Sequence, residues 1–181
     1  YCYSDGADIP IFPAHKPGLE GEFALRFARD LPARTVPYEA EEVLDAIDAV
    51  APALEIVGAR RVGGLFGQGR LLVNADFGAN IAFAHGPWIE DWRDHDLAAA
   101  PVRLFVNDQI KAEGNGARAL GSPLNVAVWL ANNLSQRGIG IRAGEVASTG
   151  TCTGVIQTHP GEIIRLDFAA LGALTVRMVA G

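Results

Sequence analysis

The sequence predicts an α+β fold that is mainly β, and three observations carry that prediction. Residues Leu19 to Ala28 alternate apolar and polar with a period of two. A series of short apolar segments, many of them β-branched, is separated by Gly, Pro, Asn or Asp along the chain. Only the stretch from Ser122 to Gly138 carries a full set of helix start, stripe and stop signals.

In chain order, Tyr1-Cys2-Tyr3-Ser4-Asp5-Gly6 reads as a strand running into a turn. Leu19, Gly21, Phe23, Leu25 and Phe27 then face one side of a strand, and Glu20, Glu22, Ala24, Arg26 and Ala28 the other. Asp30-Leu31-Pro32 ends it. Pro37 opens a helical stretch in which Glu39, Glu41 and Glu42 lie near the positive end of the dipole. Val43, Ile47, Val50 and Leu54 keep helical spacing, and Pro52 is expected to stop the helix before Leu54. Ala53 to Val57, bounded by Pro52 and Gly58, is predicted to be an inner strand. Further strands are predicted at Arg70 to Asn74, at Ala79 to Ala84, and at Val102 to Val106 and Gln109 to Ala112, joined at Asn107-Asp108. The one strong helix has Ser122 as N-cap, Pro123 in its first turn, and an apolar stripe of Leu124, Ala127, Val128, Ala131 and Leu134 before Gly138. Glu145 to Thr149, Glu162 to Phe168 and Ala173 to Val179 complete a meander that closes a sheet or barrel.

A chain of 181 residues can bury one substantial core, so residues 1–181 are expected to form a single domain. Apolar residues are 49% and charged residues 20%, with Gly and Pro dispersed, which argues against disorder and repeat arrays. A net charge of −6 without any Lys/Arg cluster excludes nucleic acid as a partner. The longest uncharged stretches, such as Ala119 to Leu134, contain polar residues and fall short of the ~20 apolar residues of a membrane span. Cys2 and Cys152 lack the paired spacing of a zinc site and read as two reduced thiols in a cytoplasmic protein.

Carboxylates hold the chemical signal. Glu20 and Glu22, two residues apart on a strand, project from one face with Cβ atoms about 6.5 to 7 Å apart, so both can reach one cation. Oxygen-only ligands suit a hard ion such as Mg²⁺ or Mn²⁺. Glu55, the lone charge in Ala53-Leu54-Glu55-Ile56-Val57, is the natural third ligand because burying it requires compensation. The competing reading puts Glu20 and Glu22 on a solvated face and pairs Glu55 with Arg60 or Arg61. His15, His85, His95 and His159 share no ligand spacing. The hydroxyl-rich run from Ser148 to Gly154 is either an anion-holding turn or a plain strand and turn. Nucleophile-elbow, Walker and dinucleotide motifs are missing from the sequence.

Asp5-Gly6-Ala7-Asp8-Ile9-Pro10, Gly18-Leu19-Glu20-Gly21-Glu22-Phe23-Ala24 and Pro52-Ala53-Leu54-Glu55-Ile56-Val57-Gly58-Ala59-Arg60 resemble, in order and spacing, successive motifs of one known group. It is the 2-keto-4-pentenoate hydratase and 4-oxalocrotonate decarboxylase group of the fumarylacetoacetate hydrolase superfamily. Asn74 to Asn80, Leu120 to Pro123 with Trp129 to Asn132, and Ala143 to Glu145 leading into Thr149 to Thr151 extend the resemblance over nearly the whole chain. The resemblance implies a mixed β roll with a few helices, usually homo-oligomeric, and a metal held by Glu20, Glu22 and Glu55. It places a small 2-oxo acid substrate near Asp76 and the turn formed by Gly150, Thr151 and Thr153. The implied reaction is hydration of a 2-hydroxypenta-2,4-dienoate to a 4-hydroxy-2-oxo acid in aromatic-compound catabolism. Decarboxylation of 4-oxalocrotonate, hydrolysis of an acylpyruvate, and a non-catalytic partner subunit are the alternatives. Members of the group carry, before the position of Tyr1, a helical segment with a Lys and an Asp that take part in proton transfer. Those positions are not in this chain, and an upstream segment is expected.

Overall fold

The structure is a computed structural model that describes residues 2–61, 64, 67 and 69–181. Its first sheet contains β1 (Cys2–Ser4), β3 (Gly18–Phe27), β4 (Ile47–Val57), β5 (Asn80–His85), β8 (Val146–Ser148) and β9 (Ile156–Gln157). The order is β1-β5-β4-β3-β8, with β9 also on β3. The second contains β2 (Asp8–Ile11), β6 (Pro101–Val106), β7 (Gln109–Asn115), β10 (Ile163–Asp167) and β11 (Ala173–Ala180), in the order β2-β11-β10-β6-β7. Only the β1–β5 and β2–β11 pairs are parallel among the described residues. Among the described residues three α-helices complete the fold: α1 (Ala40–Leu44), α2 (Arg70–Ala75) and α3 (Pro123–Gln136).

The two sheets share one core. Leu19, Phe23, Leu25 and Phe27 of β3, with Leu54 and Ile56 of β4, bury fully or nearly so in one cluster with Leu104, Ile164, Leu166 and Met178 of the second sheet. At roughly 1.5–3 kcal/mol for each large apolar side chain removed from water, this cluster dominates the stability of the fold. Phe23 meets Phe168 edge to face, with centroids 5.0 Å apart and planes at 87°.

The main-β prediction, the 19–28 strand, the Asn107-Asp108 hairpin and the 122–138 helix agree with the structure. Asn107 and Asp108 both have positive φ (48° and 64°), as a two-residue turn matching strand twist requires. Ser122 Oγ accepts from the Leu124 N–H, and Gly138 adopts φ 74° just past α3. Cys2 and Cys152 are both free. The predicted strand at residues 1–6 is β1, although Tyr1 lies outside the described residues.

Two expectations fail. The helix opened at Pro37 lasts only from Ala40 to Leu44, and the chain is already strand β4 at Ile47. Both faces of β4 are largely buried, so its sequence lacks alternation, and its apolar residues fall by chance at helical intervals. Pro52 sits inside this strand at the point where β5 leaves β4. His85 opposite Ala53 is the last ladder partner there, followed by a Gly86 N–H to Pro52 carbonyl bond and an isolated Val50–Ile89 bridge. The strand predicted at Arg70 to Asn74 is instead the short helix α2, closed by the Asp76 N–H on the Leu72 carbonyl. An apolar run this short does not distinguish helix from strand. No helix among the described residues is long and apolar enough to cross a membrane.

Candidate functional site

Odd-numbered residues of β3 face the second sheet, which leaves Glu20 and Glu22 on the opposite face. Glu20 lies directly across from Glu55 in the β3–β4 register, and Glu22 lies across from Ala53. One carboxylate oxygen from each of Glu20, Glu22 and Glu55 falls within 4.8 Å of the other two. Gly21 between them turns inward, where an added Cβ would come within 2.9 Å of Leu166 Cδ2 and 3.0 Å of Thr153 Cγ2. Close approach of the second sheet therefore requires the small residue in Glu-Gly-Glu.

Like charges opposite one another in a sheet are destabilising. Two full charges 4.8 Å apart repel by roughly 3 kcal/mol at an effective dielectric constant of about 20. The cluster responds by holding protons. Burial, then the charge of Glu55, pushes the Glu20 carboxyl up to about 7. Burial also pushes Glu22 up to about 8, against the hydrogen bond from Ser148, with Glu55 and Glu20 adding to the rise and the Gly150 N–H opposing it. Glu22 is 1% exposed, and its Oε1 has no hydrogen-bond partner among the described residues. A buried, unpartnered carboxylate oxygen beside two other carboxylates is the arrangement a divalent cation compensates, so the donor set fits a hard ion.

Each glutamate is held by its own neighbours. Ser148 Oγ and the Gly150 N–H (3.0 Å) both donate to Glu22 Oε2. Asn80 Nδ2 donates to Glu55 Oε1 at 2.7 Å. Of the two competing partners for Glu55, Arg60 is engaged elsewhere, its N and Nη1 bonding Asp76 Oδ2 and Oδ1 at 2.9 and 3.0 Å, and among the described residues no ion pair joins Arg61 to Glu55. The hydrogen bonds from Arg60 hold the Asp76 carboxyl below the usual carboxylate range.

The loop at 149–153 shows why the hydroxyl-rich run exists. β8 pairs with Ala24 to Arg26 and β9 with Gly18 and Leu19, leaving a gap along the edge of β3. There the Phe23 N–H bonds Thr149 Oγ1 (3.0 Å) and the Gly21 N–H bonds Thr153 Oγ1 (2.9 Å), while the Thr149 and Cys152 N–H groups bond the Phe23 and Gly21 carbonyls. Side-chain oxygens thus replace a strand, and the chain between them arches over Glu22 and delivers the Gly150 N–H. Thr151 Oγ1 accepts from the N–H groups of Thr153 and Gly154.

A cavity of about 260 Å³ opens beside the cluster, lined by Glu20, Lys16, Val57, Val73, Val155 and Gln157 among others. Of the residues anticipated from sequence, the structure brings Glu20, Glu22 and Glu55 together and sets Gly150 against Glu22. Asp76 lies at the end of α2, next to the cavity-lining Gly78 and Ala79 but engaged by Arg60. Thr153 points inward and is occupied by backbone. Sequence reasoning passed over Ser148 and Asn80 as supports of the glutamates, and Lys16. Asn80 and Lys16 have no spacing relation to the glutamates, and only the hydroxyl-rich run hinted at Ser148.

A family model described as fumarylacetoacetate (FAA) hydrolase, C-terminal, matches residues 3–179. A 2-keto-4-pentenoate hydratase of Paraburkholderia xenovorans (strain LB400) is 31% identical over 174 residues, covering 95% of this chain and 62% of that protein. A 4-oxalocrotonate decarboxylase of Pseudomonas putida is 31% identical over 179 residues, covering 99% of this chain and 66% of that protein. The solved 4-oxalocrotonate decarboxylase from Pseudomonas putida G7, complexed with magnesium and adipate, superposes with a TM-score of 0.87 at 28% identity, over 99% of this chain and 66% of that one. The chain thus spans a little under two thirds of the length of these relatives.

Proposed function

The chain belongs to the fumarylacetoacetate hydrolase family, and from that premise we propose that it serves as a divalent-cation-dependent lyase adding water to a 2-hydroxypenta-2,4-dienoate-type substrate. The product is a 4-hydroxy-2-oxo acid, as in the breakdown of aromatic compounds. The observation that carries this reading is the convergence of Glu20, Glu22 and Glu55, one ligand atom of each within 4.8 Å of the others, together with a buried Glu22 oxygen that has no hydrogen-bond partner among the described residues. These three residues would hold the ion, Mg²⁺ or Mn²⁺. When bound, it would supply Lewis-acid polarisation to a 2-oxo acid substrate.

The chain's own residues do the rest. Ser148 and Gly150 orient Glu22 and Asn80 orients Glu55, which fixes the donor set before a ligand arrives. Val57, Val73 and Val155 line the neighbouring cavity with apolar surface that excludes water from the substrate. The Gly150–Thr153 turn and the region of Asp76 flank the place proposed for the oxo acid, with Thr153 acting through the backbone it braces. We take residues 1–181 as one catalytic unit because both sheets feed a single core, and we include homo-oligomeric assembly and a cytoplasmic setting in the proposal.

The testing experiment combines Mg²⁺ titration calorimetry with loss of dienoate absorbance. Mg²⁺-dependent turnover is expected, and a Glu55→Gln protein that keeps it in full overturns the reading. The likeness to the decarboxylase favours a second reading, decarboxylation of 4-oxalocrotonate. Parallel assays with 4-oxalocrotonate and fumarylpyruvate separate decarboxylase and hydrolase, and cation binding without turnover of any substrate indicates a non-catalytic subunit.

A further inference from the structure

The cavity beside the glutamates is lined by Glu20 and, farther back along the same stretch of chain, by Gly18 and Lys16. Gln157, Gly18 and Val57 form one row across β9, β3 and β4, two residues from the row of Glu20 and Glu55. At about 3.3 Å per residue the two rows are roughly 6.6 Å apart. An added Cβ on Gly18 would come within 2.5 Å of Val155 Cγ1 and 3.4 Å of Val57 Cγ2, so the glycine lets Val155 close down on the strand as an apolar wall. Val57 and Val73 extend that wall, and Lys16 is the one cation among the described lining residues.

Lys16 is held there against its backbone preference. It ends the 3-10 turn Pro13–His15 with φ 48° and ψ 61°, a left-handed conformation that is unfavourable for a residue with a side chain. It also precedes Pro17, which favours extended backbone in the residue before it. Glycine would form the same turn without that strain, so the turn does not call for a lysine. Strain of this kind is stored at ligand clamps. The stem has a place prepared for it, because an added Cβ on Gly64 would come within 2.8 Å of Lys16 Cδ. Among the described residues no carboxylate pairs with Lys16.

We propose that Lys16 selects the substrate by binding a second carboxylate at its far end, so that the site takes a six-carbon 2-oxo or 2-hydroxydienoic diacid in preference to a monoacid. The inference rests on the reading above that an oxo acid sits with its C1 and C2 end at the glutamates. An extended six-carbon chain spans about 6 Å from C1 to C6 at ordinary bond lengths, close to the separation of the two rows. C6 therefore ends level with Gly18 and Gln157, and Lys16, two residues beyond Gly18, covers the remaining distance with its four-methylene stem. A five-carbon acid puts only C3 to C5 beyond its chelating end, which fills a small part of about 260 Å³ when a water-sized group takes roughly 30 Å³. A carboxylate between apolar walls needs a cation, whereas an alkyl end needs none. The selection acts on binding and holds whichever bond of the diacid then reacts.

The test is calorimetry on the intact chain loaded with Mg²⁺, comparing 2-oxoadipate with 2-oxohexanoate, which has the same length and oxo group but no second carboxylate. Wild type is expected to bind 2-oxoadipate at least about tenfold more tightly, as a hydrogen bond to a charged group provides. Lys16→Met keeps the stem and loses the charge, so 2-oxoadipate should weaken by about 10- to 100-fold while 2-oxohexanoate stays within about threefold. Lys16→Arg should restore most of the preference, and Mg²⁺ affinity should be unchanged in both variants. If Lys16→Met fails to fold by circular dichroism, Lys16→Gln and the wild-type comparison decide. A wild type that binds the two acids equally, or a folded methionine variant that keeps the preference, overturns this inference alone. A wild type that binds neither acid in the presence of Mg²⁺ overturns the reading of the glutamates as an oxo-acid site and this inference with it.

Discussion

Replacing Thr153 by valine tests the claim that side-chain oxygens stand in for a missing strand beside the glutamates. The Thr153 hydroxyl accepts the Gly21 N–H at 2.9 Å and donates to the Gly154 carbonyl at 3.0 Å, and Thr153 is 7% exposed. Valine fills similar space but offers no oxygen, so the amide of Gly21 becomes a buried donor without a partner. That costs about 1–3 kcal/mol. A chain of this size loses about 2–4 °C of Tm per kcal/mol, so the melting temperature falls by roughly 2–12 °C. Thr153→Ser keeps the oxygen and loses only a methyl group, and it is expected to recover most of the difference. Scanning calorimetry of the three proteins at one pH is the assay. A valine variant within 1 °C of wild type, or a serine variant no better than valine, refutes the reasoning. Because Gly21 lies between Glu20 and Glu22, the valine variant is also expected to bind Mg²⁺ more weakly by calorimetry.

The raised carboxyls of Glu20 (about 7) and Glu22 (about 8) make stability depend on pH in the metal-free protein. The folded state holds protons that the unfolded state has released, so stability is full below the ordinary carboxylate pKa and falls as pH rises through about 7 to 8. Thermal melts at pH 5 and pH 8.5 with EDTA should show that loss, and saturating Mg²⁺ should remove it; a flat metal-free profile contradicts the burial argument. Glu22→Gln removes the buried charge, so in EDTA at pH 8.5 it is expected to melt higher than wild type while binding Mg²⁺ at least tenfold more weakly by calorimetry. Asn80→Ala strips Glu55 of its hydrogen bond and should weaken Mg²⁺ binding about 10- to 100-fold with little change in fold. Phe168→Ala, which removes the edge-to-face partner of Phe23, should cost about 3–5 kcal/mol in denaturant unfolding.

Residues 19–28 announced their strand because one face meets a core and the other holds polar groups, and a period of two survives in the sequence. Segment 47–57 is buried on both faces, so the same structure leaves no alternation, and its spacing mimicked a helix. Segment 70–75 was misread for a simpler reason: a short apolar run fits either geometry, and local hydrogen bonds chose the helix. Glu-Gly-Glu was readable as a two-ligand motif because both carboxylates belong to one strand. Glu55 stood out because a lone acid in an apolar segment needs compensation.

The sequence by itself thus determined the strand with two glutamates on one face, the hairpin at Asn107-Asp108, the capped helix and, through its motifs, the family. Tertiary structure decided what surrounds the glutamates. The β3–β4 register sets Glu55 opposite Glu20, and folding brings Ser148, more than a hundred residues away in the chain, onto Glu22. It also places Lys16 along the cavity beside Glu20 and His85 in line with Glu22 two strands away. Local periodicity reports which face a residue occupies because that depends only on its own strand. Which residues share that face depends on strand pairing, and pairing is fixed by burial summed over the whole core.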